Sequence, residues 1–188
     1  MNSKNNFRRE KGNVLKGLAA GVVGGLVASF VMNKFQAAWS AVSESMANSD
    51  GENDKGKSDE GKKSGQREEP EPTTVKAAEA ISKDVFDHDL TKSEKKYAGP
   101  AVHYATGAGS AAIYGAAAEL FPKITRGAGL PFGVAVWLIV DEGAVPALGL
   151  SKSPLEYPAS THVFALASHL VFGLSTEMVR RAARRALG

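Results

Sequence analysis

Cysteine is absent from the 188 residues. Its absence excludes a disulfide scaffold, a thiolate metal site and a cysteine nucleophile. A Ser-His-Asp order, a nucleophile elbow and a phosphate loop are missing as well. Gly107-Ala108-Gly109 lacks the third glycine and the preceding strand of a dinucleotide fingerprint. Neither a catalysed reaction nor a cofactor is therefore expected. Charge is scarce outside one segment, because residues 33–96 hold 14 of the 20 acidic and 11 of the 23 basic residues. The net charge of +3 arises from basic clusters near the ends rather than from a basic face. Nucleic acid is accordingly not an expected partner.

What the sequence does hold is four apolar stretches. Val14–Met32 has a single charge, Lys16, close enough to its start to reach the headgroups. Residues 97–118 contain no Asp, Glu, Lys or Arg, and Pro122 bars continuation of a helix beyond them. Residues 127–140 are again uncharged, and apolar sequence resumes after Asp141-Glu142 as far as Leu150. Residues 161–176 are uncharged and continue past Glu177. Apolar runs of roughly 18 or more residues are candidate transmembrane helices, and the first two stretches lack the charged face of a soluble helix. The expected class is all-α: a four-helix transmembrane bundle in a lipid bilayer, with spans at 14–32, 97–120, 127–150 and 161–179. For the first stretch a cleaved secretory signal is the alternative. Against it, the run exceeds the usual roughly 7–15 residues, and Lys34 lies where a neutral cleavage region belongs.

Basic residues in short flanks and loops stay on the cytoplasmic side. They occur in the tail 1–13 and at Lys16, at Lys123 and Arg126 between the second and third stretches, and at Arg180, Arg181, Arg184 and Arg185 in the tail 180–188. Four crossings with both termini inside gather all of these on one side. Only Lys152 is then left in the short outer loop.

Residues 33–96 become a long, partly disordered extracytoplasmic loop in this scheme. Segment 43–72 is too poor in large apolar residues to offset chain entropy, so disorder is expected there. Asp50, Glu52 and Asp54 fail as a calcium loop, since Lys55 holds the glycine position and Gly61 the twelfth. In 74–86, Val75, Ala78, Ile81 and Val85 form one apolar helical face, suited to the membrane surface or to the bundle. Thr91 and Glu94 match a capping box, and the helix they start should enter the second span with a kink at Gly99-Pro100. Asp87-His88-Asp89 reads as a solvated turn rather than a metal site.

Gly17, Gly21, Gly25 and Ser29 recur every four residues, and Gly107, Ala111 and Gly115 repeat that spacing. Such faces let helices approach closely. Packing within a monomer is the favoured use; a homo-oligomer or another membrane protein is the alternative partner. Glu119 and Glu177, near Lys123, Arg126, Arg180 and Arg181, read as interfacial ion pairs. Five polar residues lie deeper: Asp141, Glu142, His103, His162 and His169. A charge at mid-membrane costs about 2.5–3.5 kcal/mol on insertion scales and therefore faces a partner inside the bundle. At about 1.5 Å rise per residue, Asp141 and His169 fall at nearly one level, with His103 in the same outer half. A structural hydrogen-bond cluster, a proton-responsive site and a metal site compete, and the first is favoured. The histidines lack the Glu-x-x-His spacing of di-iron bundles, so no metal is expected.

Several short motifs in order carry a resemblance: Glu119-Leu-Phe-Pro-Lys-Ile124 after the helix with His103, Pro146-Ala-Leu-Gly-Leu150, Ser168-His169-Leu-Val, and Glu177-Met-Val-Arg-Arg181. Over residues 98–185 the chain resembles the YagU family of small bacterial inner-membrane proteins. The resemblance implies a multi-pass inner-membrane protein of uncharacterised biochemistry, with a link to acid tolerance and no catalytic residues to transfer. The chain departs from the family in its longer, more charged outer loop, in lacking cysteine and in Asp141 standing where a histidine is expected.

Overall fold

The computed structural model describes residues 2–51 and 71–188. Five helices carry the fold: α1 (Asn2–Gly51), α2 (Thr73–Phe86), α3 (Lys92–Leu120), α4 (Leu130–Ala147) and α5 (Ala159–Ala186). There is no strand among the described residues. Helix α1 is the hub, with α3 and α5 against it, α4 against α5 and α2 against α3. Three helices are long and apolar enough to cross a membrane: Asn13–Met46 of α1, α4 and α5. Helix α3 stands outside that set. It carries no charge over 97–118, but its Ala, Gly, Ser, Thr, His and Tyr make it less apolar.

The buried positions of α1, including Gly17, Ala20, Gly21, Gly24, Gly25, Ala28, Ser29 and Met32, follow the three-and-four spacing of one helix face. The opposite face exposes Leu15, Leu18, Val23, Leu26 and Phe30. Helix α4 likewise exposes Leu138 and Ile139, and α3 exposes Ile113. A contiguous apolar exterior of this kind suits lipid rather than water.

The helix boundaries depart from the expected ones. Helix α1 does not stop near Met32 but continues to Gly51. Residues 33–51 contain no proline and many helix formers, so nothing breaks the backbone ladder. Residues 43–51 of the segment expected to be disordered are therefore helical; residues 52–70 lie outside the described residues. At the other end, Arg180–Arg185 are not a tail but the last turns of α5, where cations favour the carbonyl end of a helix. Helix α3 runs unbroken through Pro100.

Helix α4 starts late because Gly127, Ala128 and Gly129 all take positive φ (81°, 53° and 85°). A Cβ on Gly129 would collide with the carbonyl of Gly173 in α5. Its middle, Trp137–Ala144, widens into a π-helix. Pro146 explains the widening, since it has no N–H to give and its ring would strike the carbonyl four residues back, that of Glu142. The Val145 N–H reaches five residues back to the Val140 carbonyl. Asp141 and Glu142 thus sit on a wide turn, a feature frequent at functional sites.

Helix α2 buries Ala78 and Ser82, with Val75 seated on Gly99 of α3. Ile81 and Val85, the rest of the apolar face read from the sequence, are half-exposed or more. The capping box forms: the Thr91 N–H donates to Glu94 Oε2 at 2.7 Å, and the Glu94 N–H to Thr91 Oγ1 at 3.3 Å. Lys95 clamps α2 to α3 by pairing with Glu79 and, at 3.0 Å, with Glu71. The Thr91 backbone holds the Glu94 carboxyl below its ordinary 4.5. Lys95 holds the Glu71 carboxyl below the same value. The Glu79 and Glu71 carboxylates raise Lys95 above 10.5. Carboxyls lowered in the fold stabilise it above their unfolded value, and that share is lost as pH falls through the lowered one; a raised lysine stabilises it below 10.5 and is lost above. Amide protection factors of α2 are therefore expected to stay level between about pH 5 and pH 9 and to fall at about pH 3. Full protection at about pH 3 would show that Val75 on Gly99 holds α2 without the ion pairs.

Candidate functional site

The five deep polar residues gather at the end of the bundle covered by α2, but in two groups. The π-helical turn of α4 places Asp141 Oδ2 3.6 Å from His169 Nδ1 on α5. The His169 Nδ1–H meanwhile donates to the Ala165 carbonyl at 2.9 Å, which fixes the ring. The neighbouring carboxylate, that of Glu142, turns the other way, with Oε1 2.7 Å from His162 Nδ1. His162 Nε2 lies 2.9 Å from the Pro154 carbonyl. His162 and His169 are seven apart and share the face of α5 toward α4, and the two adjacent acids take one histidine each.

Asp141, His169 and His103 of α3 line a cavity of about 560 Å³. Its remaining walls come from all five helices, including Ser29 and Met32 of α1, Val136 of α4 and Phe172 of α5, with Thr73–Val75 at the start of α2 on one side. Among the described residues of this lining, Ser29 Oγ has no hydrogen-bond partner. Glu142 and His162 line a smaller cavity of about 320 Å³ with Lys152 and Tyr157, and Asp141 borders both. No group of three or more metal-ligating side chains occurs among the described residues.

The small-residue faces of α1 and α3 meet each other. Added Cβ atoms on Gly17, Gly21 and Gly25 would strike the backbone of Gly115, Ala111 and Gly107. The order of these pairs makes the two helices antiparallel. A second close approach, between Gly129 or Gly133 and the α5 backbone at Gly173 and His169, has no repeat in the sequence to announce it.

At the opposite end the ion pairs expected of Glu177 and Glu119 form, but as part of a buried network that the sequence reading did not foresee. Glu177 is 1% exposed. Its Oε2 accepts from Arg180 Nε at 2.7 Å and from the Tyr114 hydroxyl at 3.0 Å. Its Oε1 accepts from Arg180 Nη2 at 2.9 Å and Arg181 Nε at 2.5 Å. Tyr114 stacks on Phe132 with ring centroids 4.3 Å apart, which ties α3, α4 and α5 together. Glu119 pairs with Arg184 at 2.8 Å, and Arg184 also reaches Asn13 of α1. The signal available in sequence was Tyr114, a hydroxyl inside an uncharged span that must find a partner.

With helices and no strand among its described residues, and coated with exposed aliphatic side chains, the chain belongs to the class of helical proteins with candidate transmembrane segments. More narrowly, the family model described as "Protein of unknown function (DUF1440)" matches residues 63–178, more than half of the chain, and the protein is a member of the DUF1440 family. That stretch includes all five deep polar residues and leaves out α1. No curated protein and no solved structure matches the chain.

Proposed function

We propose that this DUF1440 member is a four-span bacterial inner-membrane protein of the YagU kind, with both termini in the cytoplasm. Its role is tolerance of acid or envelope stress, without catalysis, through a proton-responsive pocket formed by Asp141, His169 and His103. The carrying observation is the carboxylate of Asp141 3.6 Å from the imidazole of His169, in a cavity that His103 also lines. Free imidazole titrates near 6.5 and a free aspartate near 4. Protons taken up from the outer side add positive charge at imidazoles or remove negative charge at the carboxylate. The pocket charge thereby swings positive, and helix packing follows. Glu142, His162 and Lys152 in the adjoining cavity feel the same swing.

Two features support α3 as the fourth crossing. It lies antiparallel along α1 from Gly115 opposite Gly17 to Gly107 opposite Ser29, and it exposes Ile113. Lys16, Arg181 and Arg184 converge at the end away from α2, in keeping with a cytoplasmic face there. Because the chain has no cysteine, single-cysteine labelling tests this cleanly. In intact cells an impermeant maleimide is expected to label Lys92→Cys but not Ala186→Cys. Equal labelling of both would overturn the topology.

The alternative is a structural subunit that docks another membrane protein through its small-residue faces. Here those faces of α1 and α3 are spent on each other, which favours the first reading. Asp141→Asn and His169→Gln are expected to lower survival or proton flux relative to wild type as external pH drops from about 7 to about 4. If both variants accumulate normally and match wild type throughout, the pocket is a structural cluster only.

A further inference from the structure

The larger cavity is built for more than a proton. Its volume of about 560 Å³ falls within the roughly 300–1,000 Å³ of small-molecule sites. Among the described residues, Asp141 is the only acid in its lining, and no lysine or arginine lines it. The Asp141 side chain is 39% exposed, so its carboxylate is open to an occupant. Met32, Val136, Val140 and Phe172 provide an apolar wall. Ser29 is fully buried, and its Oγ lacks a partner among the described residues. Native interiors seldom leave such atoms unsatisfied.

From this we propose that the cavity binds a small organic monocation, an ammonium group on an apolar body, with the ammonium against Asp141 and the body against Val140 and Phe172. The inference rests on the pocket of the preceding reading and names its occupant. A carboxylate attracts a cation, whereas an aromatic carboxylate of equal size finds no lysine or arginine to pair with among the described residues of the lining. Protons compete with the cation. The groups facing Asp141 are Glu142 on α4, His169 and His162 on α5 and His103 on α3, with Lys152 bordering the adjoining cavity; α1 and α2 contribute hydroxyls and amides to the lining. Each proton the pocket takes up makes its net charge more positive and weakens its hold on the ligand. The ammonium could belong to a free solute or to the headgroup of a zwitterionic lipid, since both carry the same charge and hydrogen-bonding capacity.

The test is equilibrium dialysis of labelled phenethylammonium against the full-length protein in nanodiscs. Propylbenzene and 3-phenylpropanoate serve as neutral and anionic counterparts. The cation is expected to bind at pH 7.5 and to bind at least about tenfold more weakly at pH 5, with both counterparts at background. Asp141→Asn and Val140→Phe, the second of which keeps the charge and removes space, should each weaken binding by a similar factor. Discs of phosphatidylglycerol diluted with an uncharged glycolipid and discs diluted to the same charge density with phosphatidylethanolamine separate the two sources. Weaker probe binding in the second marks a headgroup occupant, and equal binding marks a free solute. Binding that Asp141→Asn leaves unchanged, or equal binding of all three probes, overturns the proposal. If wild type binds no cation while its proton uptake between pH 7.5 and pH 5 still exceeds that of Asp141→Asn, the ligand falls and the proton-responsive pocket stands. If cation binding and uptake are both absent, both fall.

Discussion

Replacing Glu177 by glutamine is expected to destabilise the bundle by about 3–5 kcal/mol and to deplete the protein from the membrane. Glu177 is the point at which α3 and two arginines of α5 converge, and it is almost without solvent. A glutamine fits the space but cannot balance Arg180, whose side chain is 8% exposed. The cost of the substitution is therefore a buried, uncompensated guanidinium rather than one lost hydrogen bond. Arg181 is 47% exposed and can turn toward headgroups. The double variant Glu177→Leu with Arg180→Met removes both buried charges and should recover much of the loss. Thermal unfolding in detergent, read alongside membrane accumulation, checks both variants. Wild-type stability in the glutamine variant would show that the network contributes nothing.

The second large effect is expected at Gly21. A Cβ there would run into the carbonyl of Ala111 and lie 2.9 Å from the Cα of Ala112, both backbone atoms of α3. No rotamer relieves a clash with backbone, so Gly21→Leu must push α1 and α3 apart along the whole glycine ladder. Overpacking costs about 1–3 kcal/mol where side chains can give, and the rigid neighbour here places the loss at the upper end or beyond. Gly109 is the control. It lies on α3, and a Cβ there meets nothing within 4 Å. Gly109→Leu points into open space and should be neutral or slightly stabilising, since glycine costs a helix roughly 0.5–1 kcal/mol relative to alanine. Unfolding midpoints of the two variants in the same micelle separate packing from helix propensity. Equal midpoints would mean that the ladder is not a contact surface.

Much of this architecture could be read before any coordinates, and the particular residues show why. The Thr91–Glu94 cap depends on three residues of chain and no more, so the motif and the observed bonds coincide. The level shared by Asp141 and His169 followed from a constant rise per residue along two antiparallel helices. The capacity of α1 and α3 to approach closely was written in four-residue spacings. These are local properties, set by helix geometry and by the neighbours of each residue in the chain.

What no local rule contains is which surfaces meet. The sequence could bring imidazoles and carboxylates to the outer half of one bundle, but their division into Asp141 with His169 and Glu142 with His162 needed the wide turn that Pro146 imposes on α4 and the facing of α4 by α5. Glu177 looks from its flanks like a carboxylate at a membrane surface; the arrival of Tyr114 from 63 residues away buries it. The end of α1 was misplaced for a related reason: a polar composition reports the surroundings of a helix and not whether its backbone ladder stops. Helix periodicity and hydropathy thus determined the long apolar helices and their packing faces, because both follow from short-range geometry. The charge pairs, the cavity and the buried carboxylate were decided by tertiary structure, because the cost of burying a charge depends on every helix that closes around it.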